Sequence, residues 1–109
     1  MLIVGTIRMK VRTEKRLEFL QTMDALMERL RGLHGCSSYR FYVSGEDTAL
    51  FQLVSEWQDL ELFRSHLTSG AFRVFRGSRP LLSSDPLAHL DVVSQRSAVD
   101  TAEDWTFAS

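Results

Sequence analysis

The sequence predicts one α+β domain whose strands and helices follow the order β-α-β-β-α-β. Three observations predict it. An alternating segment at the start precedes a long amphipathic run, two β-favouring segments flank a polar turn, and a capped second helix precedes a last alternating segment. Elements in this order form an antiparallel sheet with the helices on one face. The 109 residues suffice for one such domain.

The first strand is predicted over residues 2–11, where apolar and polar side chains alternate. A period of two places every second side chain on one buried face of a sheet. That face contains Ile3, Gly5, Ile7, Met9 and Val11. Thr13 follows directly and is predicted to cap the helix after it, because its hydroxyl can accept a hydrogen bond from a free backbone N–H.

The first helix is predicted over residues 14–31, where apolar residues recur at spacings of three and four. The predicted buried stripe is Leu17, Leu20, Met23, Met27 and Leu30, widened by Phe19 and Leu26. Gly32 and Gly35 end the helix, as glycine beyond a helix terminus commonly does.

Residues 36–44 and 49–57 are predicted to form a β-hairpin. Both segments are rich in aromatic and β-branched residues, and the polar segment 44–48 between them has turn composition.

A second helix is predicted over residues 60–69, with Asp59 as its N-cap and Gly70 as its end. Residues 71–76 add one or two further helical turns, and residues 87–93 form the last strand. The alternation in that strand predicts one face shared by Ala88, Leu90 and Val92.

This element order is that of a ferredoxin-like domain, which we expect to span residues 1–93. Its helices cover one face of the sheet, so the other face needs a partner, and a second copy packed sheet on sheet is the simplest one. We therefore expect a homodimer. Residues 94–109 form a polar tail that ends in Trp105-Thr106-Phe107, and we expect it to dock on its own or the partner subunit.

Composition excludes several classes of protein. Thirteen basic residues oppose fourteen acidic ones, and this balance predicts no nucleic-acid partner. The apolar runs are too short to span a membrane, and the first residues do not resemble a signal peptide. With a single cysteine, Cys36, no internal disulfide can form, so the cytoplasm is the expected compartment.

Standard catalytic signatures are absent from the sequence. It contains no dinucleotide-binding glycine motif, no P-loop, no nucleophile elbow and no zinc-protease motif. Three histidines, His34, His66 and His89, are widely spaced, so no metal site is expected.

The segment from Glu56 to Phe72 is the most informative. A strand ends in Glu-Trp, a short acidic turn and a capped helix follow, and the helix leads to His66-x-x-Ser69 with a Phe soon after. Together with the Gly35-Cys36 entry to the second strand, this pattern resembles the antibiotic biosynthesis monooxygenase family over residues 3–93.

The resemblance implies a dimeric α+β barrel with a pocket between sheet and helices in each subunit. Relatives include cofactor-independent monooxygenases that oxidise phenolic polyketides or quinols with dioxygen, and heme-degrading enzymes. In the polyketide enzymes a Trp at the position of Trp57 lies in the pocket with an Asn four residues earlier, where this chain has Leu53. The heme degraders carry Asn, Trp and His where this chain has Thr6, His66 and Arg76, which argues against heme degradation.

A cofactor-free oxygenase requires a substrate that supplies the electrons itself, as a phenolate or enolate. The protein deprotonates the substrate, holds it flat and excludes water. We expect His66 as the base and Trp57 beside it in the pocket, as the catalytic pair. The expected site also contains an apolar slot for the substrate ring, formed by Leu53, Phe63, Phe72 and Phe75. Arg76 or Arg40 is expected to stabilise the anion that deprotonation produces.

Other interpretations of the same residues stay open. His66 can be a hydrogen-bonded buried histidine, Trp57 a core residue and the arginines solvated surface charges. The leading hypothesis is a cofactor-free monooxygenase of a small aromatic, quinol or phenolic substrate. The second is a dimeric module that binds a small apolar ligand without converting it, and the third is a heme degrader.

Overall fold

A computed structural model describes residues 1–99 of the chain. The tail's aromatic residues Trp105 and Phe107, on which its predicted docking depends, lie outside the described residues. Residues 1–99 contain four strands and three α-helices: β1 (Leu2–Lys10), α1 (Arg16–Arg31), β2 (Cys36–Val43), β3 (Leu50–Trp57), α2 (Leu60–Leu67), α3 (Gly70–Arg76) and β4 (Leu87–Val93). Within this range no helix is both long and apolar enough to cross a bilayer.

The strands form one antiparallel sheet in the order β2-β3-β1-β4. This arrangement confirms the predicted α+β ferredoxin-like class. The helices pack mainly on β1, β2 and β3. Ile3, Met9 and Val11 are buried as predicted, and Ile7 is partly buried against the same core.

The start of α1 differs from the prediction. Thr13 does not cap it, because residues Thr13–Lys15 form a turn of 3-10 helix and α1 begins only at Arg16 without a side-chain cap. Its buried stripe is also displaced, since Leu17 is 69% exposed. The buried residues are Phe19, Met23, Leu26, Met27 and Leu30.

The second helical region divides into two helices. Asp59 caps α2 as predicted, its carboxylate accepting a hydrogen bond from the Leu62 N–H at 2.9 Å. The helix ends at Leu67, earlier than predicted, because Ser69 caps a new helix by accepting from the Phe72 N–H at 3.2 Å. Gly70 therefore begins α3 instead of ending α2.

Strand β4 lies at the edge of the sheet and pairs with β1 alone. Its residues 88, 90 and 92 share the face that the helices cover elsewhere, since Ala88 pairs with Ile7 and Leu90 pairs with Gly5. Leu90 and Val92 nevertheless remain 46% and 59% exposed. The helix-side face of the sheet is thus open along this edge.

Candidate functional site

A cavity of about 340 Å³ lies between the sheet and the helices α2 and α3. All four strands contribute to it, and its β4 side is the exposed edge. Most of the lining is apolar, with one cluster of polar side chains. The lining residues are Gly5, Thr6, Ile7, Tyr39, Leu53, Ser55, Phe63, His66, Leu67, Phe72, Ala88, His89 and Leu90.

The imidazole of His66 reaches the cavity from the last turn of α2. The residue is only 4% exposed. The short helix is held at both ends: Asp59 caps its first turn, and the Ser69 hydroxyl donates a hydrogen bond to the His66 carbonyl at 2.7 Å. These contacts fix the backbone that carries the imidazole.

Both ring nitrogens of His66 are hydrogen-bonded. Nδ1 lies 2.6 Å from the Phe63 carbonyl oxygen, and Nε2 lies 3.2 Å from the Tyr39 hydroxyl. A carbonyl only accepts, so Nδ1 carries the hydrogen, and the neutral ring has its lone pair on Nε2. The Tyr39 hydroxyl donates to that lone pair.

The surroundings favour the neutral forms of both residues. Burial lowers the pKa of His66 below its usual 6.5, and the hydrogen bond to the Phe63 carbonyl offsets part of this effect. Burial also raises the pKa of Tyr39, aided by nearby Cys36 and partly offset by the Ser55 hydroxyl. At neutral pH the pair is an uncharged imidazole that can accept a proton and a phenol that retains its own.

Trp57 lies next to His66, as the sequence suggested, but outside the cavity lining. The indole is fully buried and stacks on the imidazole, with ring centroids 4.4 Å apart and an angle of 27° between planes. Its Nε1 has no hydrogen-bond partner among residues 1–99. The structure places Trp57 behind the imidazole and the Phe63 ring, so that the indole supports His66 from the side away from the cavity.

The other predicted site residues divide into two groups. Leu53, Phe63 and Phe72 line the cavity with His66. Phe75 does not line it and packs against Phe72, with ring centroids 5.2 Å apart.

The two arginines expected to stabilise an anion also lie outside the cavity. Arg76 places its guanidinium over the ring of Phe72, 5.5 Å from the centroid, and donates to the Leu67 carbonyl. Arg40 is exposed on β2 and pairs with Val54 on the other face of the sheet. Among the described residues, no lysine or arginine lines the cavity.

Sequence reasoning missed Tyr39, Ser55 and Gly5 as site residues. Tyr39 pairs with Ser55 across β2 and β3, and Ser55 pairs with Gly5 across β3 and β1, so the three lie in one row of the sheet. The alternation along each strand indicates which face a residue is on. The register that aligns the three was not visible in the sequence.

The arrangement combines a neutral base, two hydroxyl groups and an apolar slot. Such a site can bind a small aromatic molecule and accept a proton from it. Within residues 1–99 no three His, Cys, Asp or Glu side chains are grouped as metal ligands.

Comparison with known protein families finds a match to one family. A family model described as antibiotic biosynthesis monooxygenase matches residues 2–78. No curated protein matches the chain in sequence.

Solved structures share the fold. A conserved protein from Methanosarcina mazei Go1 is 23% identical, with a TM-score of 0.79 over 83% of this chain and 90% of its own. A protein from Mycobacterium tuberculosis is 18% identical, with a TM-score of 0.82 over 90% of this chain and 100% of its own. A structure described as antibiotic biosynthesis monooxygenase is 22% identical, with a TM-score of 0.79 over 87% of this chain and 100% of its own. At these identities the similarity establishes the fold.

Proposed function

This chain belongs to the antibiotic biosynthesis monooxygenase family, and on that premise we propose that it is a cofactor-independent monooxygenase of a small phenol or quinol. The observation that carries the proposal is the cavity in which the neutral imidazole of His66 meets apolar and aromatic side chains. A base next to an apolar slot is what deprotonation and shielding of a phenol require.

The proposed reaction balances without a further reductant. A phenol loses its hydroxyl proton to the protein, and the resulting anion supplies electrons to dioxygen, which bonds to a ring carbon that still carries hydrogen. The O–O bond and that C–H bond then break, giving a quinone and one water molecule. The substrate loses four electrons; one oxygen atom enters the product and the other leaves as water.

The site residues have distinct roles in the proposed reaction. His66 accepts the proton through Nε2, and Trp57 positions the imidazole by stacking on it. Leu53, Phe63 and Phe72 contact the substrate ring. Arg76 and Phe75 act indirectly, by holding Phe72 in place.

We also propose that the protein is a cytoplasmic homodimer. The face of the sheet away from the helices carries apolar side chains from every strand: Leu2, Val4, Tyr42, Leu50, Val54 and Val93. A second copy packed on this face would remove them from water. Cys36 is a free thiol, which suits a reducing compartment.

Oxygen consumption tests the proposed activity. The purified protein, treated with a chelator, receives 1,4-dihydroxynaphthalene, and the rate is corrected for autoxidation without protein. We expect turnover that His66→Gln lowers about 100-fold or more, the usual contribution of a general base. His34→Gln, at an exposed histidine, is the control. Equal rates with and without protein across a panel of phenols would refute the enzyme.

A non-catalytic binding module is the second candidate. One observation favours it: both nitrogens of His66 already have partners inside the protein, so the base is not free in the unliganded state. Saturable binding of phenols without any oxygen uptake would support this function over the first.

A further inference from the structure

We infer that the cavity selects an uncharged ligand that carries a hydroxyl group, and that Tyr39 is the residue that recognises this hydroxyl. The inference rests on the proposed function in taking the cavity as the substrate site. It adds the chemical class of the ligand and a specificity-determining residue that the family match does not supply.

The existing hydrogen bonds of Tyr39 determine which kind of hydrogen bond it can still form with a ligand. Its only hydrogen is donated to Nε2 of His66, at 3.2 Å. The phenol oxygen still has acceptor capacity, and the side chain lines the cavity. A ligand therefore interacts best with Tyr39 by donating a hydrogen bond to it, which a hydroxyl does and an ether does not.

The same contact gives the ligand a route to the base. A ligand hydroxyl that donates to Tyr39 continues a chain of hydrogen bonds to His66 Nε2. In a concerted transfer the ligand proton moves to the Tyr39 oxygen while the Tyr39 proton moves to Nε2. One O–H bond breaks and one forms at Tyr39, so the phenol is regenerated and the net proton resides on His66.

A second hydroxyl lies next to the first. Ser55 pairs directly with Tyr39 across the two strands, lines the cavity and is 4% exposed. A serine hydroxyl can rotate to donate or accept. The hydroxyl groups of Tyr39 and Ser55 can therefore both form hydrogen bonds with the same oxygen atom of a ligand.

The remaining residues of the lining provide no positively charged side chain to a negatively charged ligand. Arg76 lies outside, over Phe72, and strand alternation directs the side chains of Thr6 and His89 to the other face of the sheet. Within the described chain, His66 is the remaining titratable nitrogen of the lining, and its hydrogen bonds are those of a neutral ring. A carboxylate in this cavity would lose its water without gaining a counter-charge, which is strongly unfavourable.

Three probes of similar shape test the inference by equilibrium titration at neutral pH. 2-Naphthol has a hydroxyl donor, 2-methoxynaphthalene has the oxygen without the hydrogen, and 2-naphthoate carries a negative charge. We expect 2-naphthol to bind up to about tenfold more tightly than the ether, the value of one net hydrogen bond. We expect 2-naphthoate to bind at least about tenfold more weakly than 2-naphthol.

Variants assign the preference to a residue. Tyr39→Phe should remove the advantage of 2-naphthol over the ether while affinity for the ether stays within about twofold. Ser55→Ala, a smaller change, should reduce the advantage in part. Ser84→Ala is the control, because Ser84 is exposed, lies off the proposed dimer face and is outside the cavity lining.

Three results would overturn the inference: no binding of 2-naphthol, equal or tighter binding of 2-naphthoate, or an unchanged preference in Tyr39→Phe. These results are separate from the oxygen assay. Selective binding without oxygen uptake refutes the monooxygenase and leaves the inference standing. Oxygen uptake that is equally efficient with carboxylated phenols refutes the inference and leaves the monooxygenase standing.

Discussion

The hydroxyl of Tyr39 on β2 and Nε2 of His66 on α2 lie 3.2 Å apart, although 27 positions separate the two residues in the sequence. Their rings meet edge to face, with centroids 5.7 Å apart. The contact connects the sheet to the capped helix at the cavity. The Phe63 carbonyl fixes the neutral tautomer of His66, and the Tyr39 hydroxyl donates to the lone pair that this tautomer leaves on Nε2. The bond between Tyr39 and His66 therefore contributes to stability and to the proposed chemistry.

Removing this bond should lower stability measurably. Tyr39→Phe deletes the hydroxyl and leaves Nε2 of a buried ring without its partner, so we expect the free energy of unfolding to fall by about 1–2 kcal/mol. Urea denaturation measures the change. Ser84→Ala, which deletes an exposed hydroxyl, should change it by less than about 0.5 kcal/mol. Equal effects of the two variants would contradict the role given to the Tyr39 hydroxyl.

Acid should destabilise the fold through His66. Burial lowers the pKa of His66 in the folded chain, whereas the unfolded chain takes up that proton at an ordinary pKa near 6.5. Below that pH the unfolded state holds more protons, so the free energy of unfolding decreases as pH falls from 6.5 towards the folded pKa. Denaturation at a series of pH values measures the slope.

Variants test whether His66 causes the pH dependence of the free energy of unfolding. In His66→Gln the slope over this interval should be smaller, whereas His34→Gln, at an exposed residue, should retain it. Proton NMR of the imidazole should show His66 titrating below pH 6.5. A titration of His66 above that value would show that burial does not control it.

Gly35 should resist substitution. It is the one glycine with positive φ (+84°) within residues 1–99, and a Cβ there would lie 2.3 Å from Cδ1 of Leu62 on α2. We expect Gly35→Ala to cost about 2–3 kcal/mol from backbone strain and displacement of Leu62. Gly45→Ala, where a Cβ would meet nothing within 4 Å, should change stability by less than about 1 kcal/mol. Similar Tm values for the two variants would contradict this account.

Gly5 should control the size of the cavity. A Cβ at this position would lie 3.1 Å from the Ser55 hydroxyl and 3.3 Å from the Phe63 ring, both of which line the cavity. Gly5→Ala should therefore weaken 2-naphthol binding about tenfold or more, by crowding the ligand and the Ser55 hydroxyl. Affinity equal to that of the unmodified protein would show that ligands bind elsewhere.

The proposed dimer depends on the face of the sheet away from the helices. Val54 lies on this face and is partly exposed in the single chain. Val54→Arg should disrupt sheet-on-sheet packing, because it places a second cation directly opposite Arg40 and a buried unpaired charge costs several kcal/mol. Light scattering should then show a monomer. Val74→Arg places the same charge on the exposed surface of α3 and should leave the dimer intact. A monomeric unmodified protein would refute the proposed assembly.

Much of the fold follows from local sequence signals. The alternation in β1 and the cap at Asp59 predicted elements that the structure contains, because both signals act over a few residues. The start of α1 was predicted wrongly for a related reason. Thr13 has the right chemistry for a cap, but a 3-10 turn occupies that position, and tertiary packing selects Phe19 over Leu17 for the core.

The site was less predictable because it depends on register between strands. The structure brings four of the predicted site residues together at one cavity: His66, Leu53, Phe63 and Phe72. Their roles stay predictions. Tyr39 was missed, because its contact with His66 depends on how β2 aligns with β3.

Trp57 and Arg76 show a second limit of sequence reasoning. The spacing from Trp57 to His66 predicted adjacency correctly, but adjacency does not indicate which ring faces the cavity. Arg76 follows the cavity residue Phe72 by one helical turn, yet its long side chain extends over the outside of that ring.

A crystal structure of the protein with 2-naphthol bound tests the central claim most directly. The account predicts the naphthalene ring between the sheet and α2, against Phe63 and Phe72, with its hydroxyl within hydrogen-bond distance of the Tyr39 oxygen. A ligand bound in the groove along α1 formed by Leu20, Met27 and Phe41, with the cavity beside His66 empty, would contradict it.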